Sequence, residues 1–311
     1  MPERAGLVER LAAGQPLLLD AAMGSDLDRH GLATRLPLWS ALGLLERPEL
    51  VQEIHADNIS AGADIITTNT FRSTARTLRK AEMPEAGADD LDRLAVALAQ
   101  AAREQGGRPD VLIAGSIAPL DECYDPTFDT DAAVAVAEHA AQAGNLADAG
   151  VDFLMIETMP TIREAVLTTE AALQTGLPVT VGFVCEPAPV EEGGARLMSG
   201  ESLADAVAAL RPYPVAMIFA NCAAPAVISA ALAQLRENTD LPIGGYANVG
   251  AVDEKVGWTP DGSVRGADYA AAAANWLDLG ALVVGGCCGT HPEHTRALRQ
   301  MLDARSNNPA T

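Results

Sequence analysis

Near its C-terminus the chain reads Val283-Val284-Gly285-Gly286-Cys287-Cys288-Gly289-Thr290, two adjacent cysteines wrapped in glycine at the end of an apolar run. Neighbouring cysteines seldom bridge each other, because so small a ring strains the peptide away from normal disulfide geometry. Both can serve one soft metal ion if the backbone turns sharply, and glycine permits that turn. A third cysteine, Cys222, closes another apolar run, Val215-Ala216-Met217-Ile218-Phe219-Ala220-Asn221. Three thiolates at strand ends with a fourth position open describe a catalytic zinc site rather than a closed structural one. Zinc so ligated is a weak Lewis acid and a poor activator of water. It is suited to binding an incoming thiol, lowering its pKa and keeping the thiolate nucleophilic. The chemistry this predicts is alkyl transfer to sulfur.

Other residue types could support that chemistry. Asp20 and Glu157 are carboxylates at strand ends. In a glycosidase such a pair would act as acid and base; beside a zinc thiolate it would bind an ammonium group; otherwise each merely caps the next helix. Thr68 and Ser116 could fix a substrate carboxylate or serve as caps. Cys123, in a polar loop, and Cys185, just past a strand, read as small buried hydrophobes. Cys185 as a fourth ligand would instead close the metal site. The histidines at 30, 55, 139, 291 and 294 show no ligand spacing. Neither Gly193-Gly194 nor Gly244-Gly245 has the context of a phosphate loop.

These residues need a frame to bring them together. Eight short, nearly all-apolar runs alternate with Ala/Leu/Glu-rich helical stretches, at 17–20, 64–68, 111–116, 152–157, 179–184, 215–222, 242–248 and 281–287. Strands buried on both faces of a parallel sheet look like this. Proline and acidic residues at 48–49 open one helix, and 131–149 is built almost wholly of strong helix formers. Eight β/α alternations predict a single α/β domain, a (β/α)8 TIM barrel over residues 1–304, with a flexible tail at 305–311. Asp20, Thr68 with Asn69, Ser116, Glu157, Asn221 with Cys222, Asn248, and Cys287 with Cys288 then all fall at C-terminal strand ends, the face that carries barrel active sites. The sixth and eighth strands share a layer inside such a barrel, so Cys222 can reach the 287/288 pair. The Gly- and Glu-rich segment 186–202 is a candidate lid.

Composition narrows the partners. Hydrophobic residues are 49% of the 311, enough for a large core, but aromatics are only 4%, so aliphatic side chains must fill it. No apolar stretch is long enough for a membrane span, and the N-terminus lacks a signal-peptide pattern, which points to the cytoplasm. Five cysteines, an odd number, read as thiols. A formal charge of −21 would repel nucleic acid. It suits a cationic small molecule, or is simply an acidic surface. A homo-oligomer stays open.

Further stretches carry a family likeness. They include Leu19-Asp20-Ala21-Ala22-Met23-Gly24, Pro37-Leu38-Trp39-Ser40-Ala41, Leu45-Glu46-Arg47-Pro48-Glu49-Leu50, Thr68-Asn69-Thr70-Phe71, Gly115-Ser116-Ile117-Ala118-Pro119 and Ile156-Glu157-Thr158. With Asn221-Cys222 and Gly285-Gly286-Cys287-Cys288-Gly289, the chain resembles the zinc-dependent homocysteine S-methyltransferase family over roughly residues 15–303. The resemblance implies a zinc ion held by Cys222, Cys287 and Cys288, with homocysteine sulfur as a further ligand. It implies that Asp20 and Glu157 hold the amino acid's ammonium, that Thr68 lies near its carboxylate, and that Trp39 lines the methyl-donor side, where an aromatic face favours an onium cation. Ser116, Asn221 and Asn248 join the expected substrate-binding set.

The Leu-Trp-Ser-Ala stretch and Tyr246-Ala247-Asn248 look most like the branch that uses S-methylmethionine or S-adenosylmethionine. Departures at Ala21-Ala22, Asn58, Ala118, Phe219-Ala220 and Ala247 crowd the substrate mouth but remove no ligand. The expected function is methyl transfer from a sulfonium donor to homocysteine, a step of methionine biosynthesis. Betaine or a separate corrinoid protein as donor, or a zinc-binding barrel without catalysis, remain as alternatives.

Overall fold

All eight expected runs form strands, and they close on one another. The computed structural model describes residues 5–191, 193–253, 257–260 and 264–307. In chain order its strands are β1 (Leu17–Leu18), β2 (Ile65–Thr67), β3 (Leu112–Ile117), β4 (Phe153–Met159), β5 (Val179–Pro187), β6 (Ala195–Leu197), β7 (Met217–Asn221), β8 (Ile243–Ala247), β9 (Gly250–Asp253), β10 (Gly257–Pro260) and β11 (Ala281–Gly286). Eight of them run in parallel in the order β1-β11-β8-β7-β5-β4-β3-β2. The circle shuts where Leu19 bridges Ile65 in parallel and Asp20 N donates to Ile65 O at 3.0 Å. This is the predicted (β/α)8 barrel.

Strand alternation divides the apolar residues into two cores. Leu17, Leu19, Phe153, Met155, Met217, Phe219 and Val283 fill the barrel interior. Leu18, Ile66, Ile113, Leu154, Ile156 and Val284 face the surrounding helices. A strand buried on both sides has no polar face to show, which is why the runs read as continuously apolar. With few aromatics available, those present need room. Phe219 meets Tyr246 edge-on at 5.5 Å, and a Cβ on Gly244 would stand 2.6 Å from the Phe219 ring. The first helix, Leu7–Ala12, joins the inner core through Leu7 and Leu11.

Helix ends follow local chemistry. The helix Pro48–Ala61 starts on proline and stops at Gly62, whose φ of 107° suits glycine. The helix Ala132–Ala149 is capped by the Asp131 carboxylate, which accepts from Ala133 N and Val134 N.

Two expectations change. The segment 186–202 contributes no residue to the cavity lining described below: β5 continues past the barrel and pairs antiparallel with β6, and Ala195 N donates to Gln234 Oε1 on the helix Pro225–Asn238 at 2.9 Å. Leu197 is buried there, so this arm packs on the barrel's flank. The tail expected from 305 begins in helix, because Pro292–Asn307 is continuous; residues 308–311 lie outside the described residues. Among the described residues no helix is long and apolar enough to cross a membrane.

Candidate metal centre and substrate pocket

The three predicted cysteines converge. Cys222 follows β7 with a left-handed φ of 56°, its N–H donating to Tyr246 O at 3.1 Å. Cys287 and Cys288 follow β11 in a tight turn. Cys287 N donates to Ala247 O, Cys288 O accepts from Val249 N, and Thr290 Oγ1 donates to Cys287 O at 2.7 Å. Gly289, at φ 81°, completes the turn and gives its N–H to Ser25 Oγ at 2.7 Å. The three Sγ atoms lie within 4.8 Å of one another, with Cys222 and Cys288 4.0 Å apart. Tetrahedral zinc with bonds of about 2.3 Å needs sulfurs about 3.8 Å apart, so these side chains fit such an ion.

The electrostatics agree. Three thiolates this close, Cys222 buried and Cys287 and Cys288 half-buried, cannot all ionise without a cation between them. The Cys287 and Cys288 thiols, then Tyr124 and Asn248, hold Cys222 well below the usual thiol range. Their hydrogen bonds to Cys222 in turn push Cys287 and Cys288 well above it.

A cavity of about 450 Å³ opens onto the sulfurs. On its wall Asp20 accepts from Thr67 N at 2.8 Å and from Thr67 Oγ1 at 3.0 Å. Burial outweighs these bonds and raises Asp20 to about 7. Glu157 accepts from Ser116 Oγ at 2.5 Å and from the Tyr246 hydroxyl at 3.1 Å, and burial raises it also to about 7. Two buried carboxylates facing one cavity suit a positively charged ligand. Trp39 lines the same cavity at φ 48°. Its indole lies so close to Gly24 that a Cβ there would be 2.3 Å from Nε1.

The other expected residues divide. Ser116 lines the cavity and steadies Glu157. Thr68 lines it too, but its hydroxyl is occupied: it accepts from Ser116 N at 3.1 Å and pairs with Thr70 Oγ1 at 2.8 Å. Thr70 gives its own proton to Ser116 O at 2.7 Å, so the Thr68 proton goes to Thr70. This side chain is a strut between β2 and β3. Asn221 is fully buried and absent from the cavity lining; both ends of its amide engage Thr158. Asn248 also stands behind the wall, its Nδ2 donating to the Tyr124 hydroxyl at 3.2 Å. Cys185 packs in the outer core, where burial pushes its thiol up to about 12, and it is not among the clustered sulfurs.

Sequence reasoning missed the loop after β3. Glu122, Cys123, Tyr124 and Asp125 all line the cavity, with Phe71 and Arg72 beside them. Arg72 pairs with Glu122 at 3.0 Å, and Tyr124 reaches Cys222. Their position just past the C-terminal end of a barrel strand was the available signal.

Comparison with known proteins agrees with this geometry. Residues 17–302 match the family described as Homocysteine S-methyltransferase. Homocysteine S-methyltransferase YbgG from Bacillus subtilis (strain 168) is 30% identical, over 91% of this chain and 93% of its own. Homocysteine S-methyltransferase from Escherichia coli (strain K12) is 33% identical, over 91% and 94%. The solved metallated form of the homocysteine methyltransferase MmuM from Escherichia coli superposes with a TM-score of 0.78 at 31% identity, over 93% of this chain and 97% of that one. A match running from the first barrel strand into the last helix, in a chain that gathers all three cysteines at one cavity, makes this protein a methyltransferase of the homocysteine S-methyltransferase family.

Proposed function

We propose that the protein transfers a methyl group from a sulfonium donor, S-methylmethionine in preference to S-adenosylmethionine, to homocysteine, giving methionine. Cys222, Cys287 and Cys288 would hold zinc, which when bound keeps the acceptor thiol ionised and nucleophilic. The carrying observation is the sulfur triad opening onto a cavity whose wall also presents Asp20 and Glu157.

The residues divide the remaining work. Asp20 and Glu157 receive the acceptor's ammonium, which draws them back to the charged form. Ser116, Tyr246 and Thr67 fix those carboxylates, so the amino acid arrives with its sulfur toward the cysteines. Trp39 offers its face to the donor's sulfonium. The thiolate sulfur then attacks the methyl carbon in line. The carbon–sulfonium bond breaks, its electron pair stays on the donor sulfur, and a neutral thioether leaves. No proton moves at carbon, so positioning and water exclusion carry the rate.

The cavity volume lies toward the low end of the ~300–1,000 Å³ usual for ligand sites, which favours the smaller donor. Five free cysteines suit a reducing compartment, the cytoplasm. The test is metal analysis followed by methionine formation from homocysteine with S-methylmethionine, S-adenosylmethionine and betaine in parallel. Zinc near one equivalent and the fastest turnover with S-methylmethionine is the expected result. Turnover with betaine alone would overturn the donor assignment.

A further inference from the structure

Tyr124 lies in the loop between β3 and the helix Ala132–Ala149, and its environment is specific. Its hydroxyl is 3.1 Å from Cys222 Sγ, 3.2 Å from Cys222 O and 3.2 Å from Asn248 Nδ2. A phenol has one proton to donate and lone pairs to accept with. Asn248 Nδ2 is a donor only, so it occupies a lone pair and leaves the proton free. Both remaining partners of that proton belong to Cys222. While Cys222 is a thiol, its S–H can donate to the phenol and the phenol to the carbonyl. Once a metal replaces the thiol proton, the sulfur is a charged acceptor, and an O–H bond to it gains charge assistance.

Backbone geometry points the same way. Cys222 is a non-glycine residue at φ 56°, a conformation that persists only when its surroundings enforce it. Tyr124 touches both the carbonyl and the sulfur of this one residue, and Asn248 holds Tyr124. The cavity wall and the ligand are thus fastened together from a loop unrelated in sequence to either cysteine motif.

We propose that Tyr124 is a positioning residue of the metal centre: its hydroxyl, aimed by Asn248, donates to the Cys222 sulfur, fixes that ligand's turn and draws charge from the thiolate. This rests on the reading of the triad as a metal site. A sulfur that gives less charge to the metal leaves it better able to take a further thiolate, here the acceptor's.

Cobalt(II) tests this, because thiolate-to-cobalt charge transfer reports the electron density on sulfur directly. The full chain is loaded with cobalt(II) as wild type, Tyr124→Phe, Asn248→Ala and the surface control Tyr213→Phe, whose hydroxyl donates to Glu170. Tyr124→Phe should move the charge-transfer band to longer wavelength, since sulfur releases its electrons more easily. It should also lose about 10- to 100-fold in metal affinity measured against a competing chelator. Asn248→Ala should move the band the same way by less, and Tyr213→Phe should not move it.

A cobalt-loaded Tyr124→Phe protein with the wild-type band and affinity overturns the role of Tyr124 and leaves the methyltransferase reading intact. If Tyr124→Phe does not fold, an unmoved band in Asn248→Ala overturns it instead. A wild-type protein that takes up no cobalt or zinc overturns the metal reading and this inference with it.

Discussion

The side-chain amide of Asn221 clamps Thr158: it accepts from Thr158 N at 3.2 Å and donates to Thr158 Oγ1 at 2.8 Å. Each partner adjoins a residue of the site, Asn221 next to Cys222 and Thr158 next to Glu157. The bond pair therefore sets the distance between Cys222, just past β7, and Glu157 on β4. Thr158 sits at φ 63°, and the clamp holds it there. Replacing Asn221 by alanine leaves a buried N–H without a partner, which costs about 1–3 kcal/mol. Asn221→Ala should lower the thermal midpoint and raise KM for homocysteine. Calorimetry and steady-state kinetics check both.

Removing one sulfur should separate ligands from bystanders. Cys288→Ala is expected to lose both metal and turnover, because two thiolates hold an ion far more weakly than three. Cys123→Ser should keep its metal, since Cys123 lines the cavity but is not one of the clustered sulfurs. Metal analysis by atomic emission reads both. An active, metal-free Cys288→Ala enzyme would remove the mechanism.

The proposed ammonium role of Asp20 and Glu157 makes homocysteine binding depend on pH. Both stand at about 7 in the ligand-free protein, above their usual range because they are buried. Below that value they are neutral and lose their hold on an ammonium. KM for homocysteine should therefore rise as pH falls through about 7. The linkage to stability has the opposite sign. A carboxyl whose folded pKa is raised favours the fold most below its unfolded pKa, and that contribution is lost as pH rises through about 7. Melting curves across this window, with and without homocysteine, should show the ligand-free protein losing stability and the amino acid restoring it.

Charge removal gives a second measure of the same pocket. Glu157→Gln keeps the shape and one acceptor oxygen but drops the negative charge, and the hydroxyl facing the new amide nitrogen must turn to accept. A hydrogen bond to a charged partner contributes about 1.5–3 kcal/mol, so KM for homocysteine should rise about 10- to 100-fold with metal content unchanged. An unchanged KM would remove Glu157 from the ammonium site.

Gly24 tests the donor side without touching the acceptor side. A methyl group at Gly24 would meet the Trp39 indole at 2.3 Å, so the ring must swing away. Gly24→Ala should raise KM for S-methylmethionine several-fold while metal content and KM for homocysteine stay near wild type. A loss confined to homocysteine would place Trp39 elsewhere in the reaction.

Legibility of the site followed backbone periodicity. Asp20, Glu157, Cys222, Cys287 and Cys288 were visible because each ends an apolar run, and a parallel barrel sends every such end to one face. Residues whose role depends on a partner from another loop were not legible in the same way. Thr68 and Asn221 look like substrate contacts from their strand-end positions, yet their polar atoms are satisfied by Thr70, Ser116 and Thr158. Tyr124 looks like an ordinary loop aromatic until the fold sets it against Cys222.

The order of residue types by itself determined the barrel, its working face and the sulfur chemistry, because burial on both sides of a strand and glycine beside paired cysteines are local demands. Tertiary structure alone decided which polar atoms remain free inside the cavity, that β5 extends to pair with β6 on the flank, and that Tyr124, held by Asn248, meets Cys222. Hydrogen bonds and desolvation act between segments distant in sequence, so their outcome exists only once the circle of strands has closed.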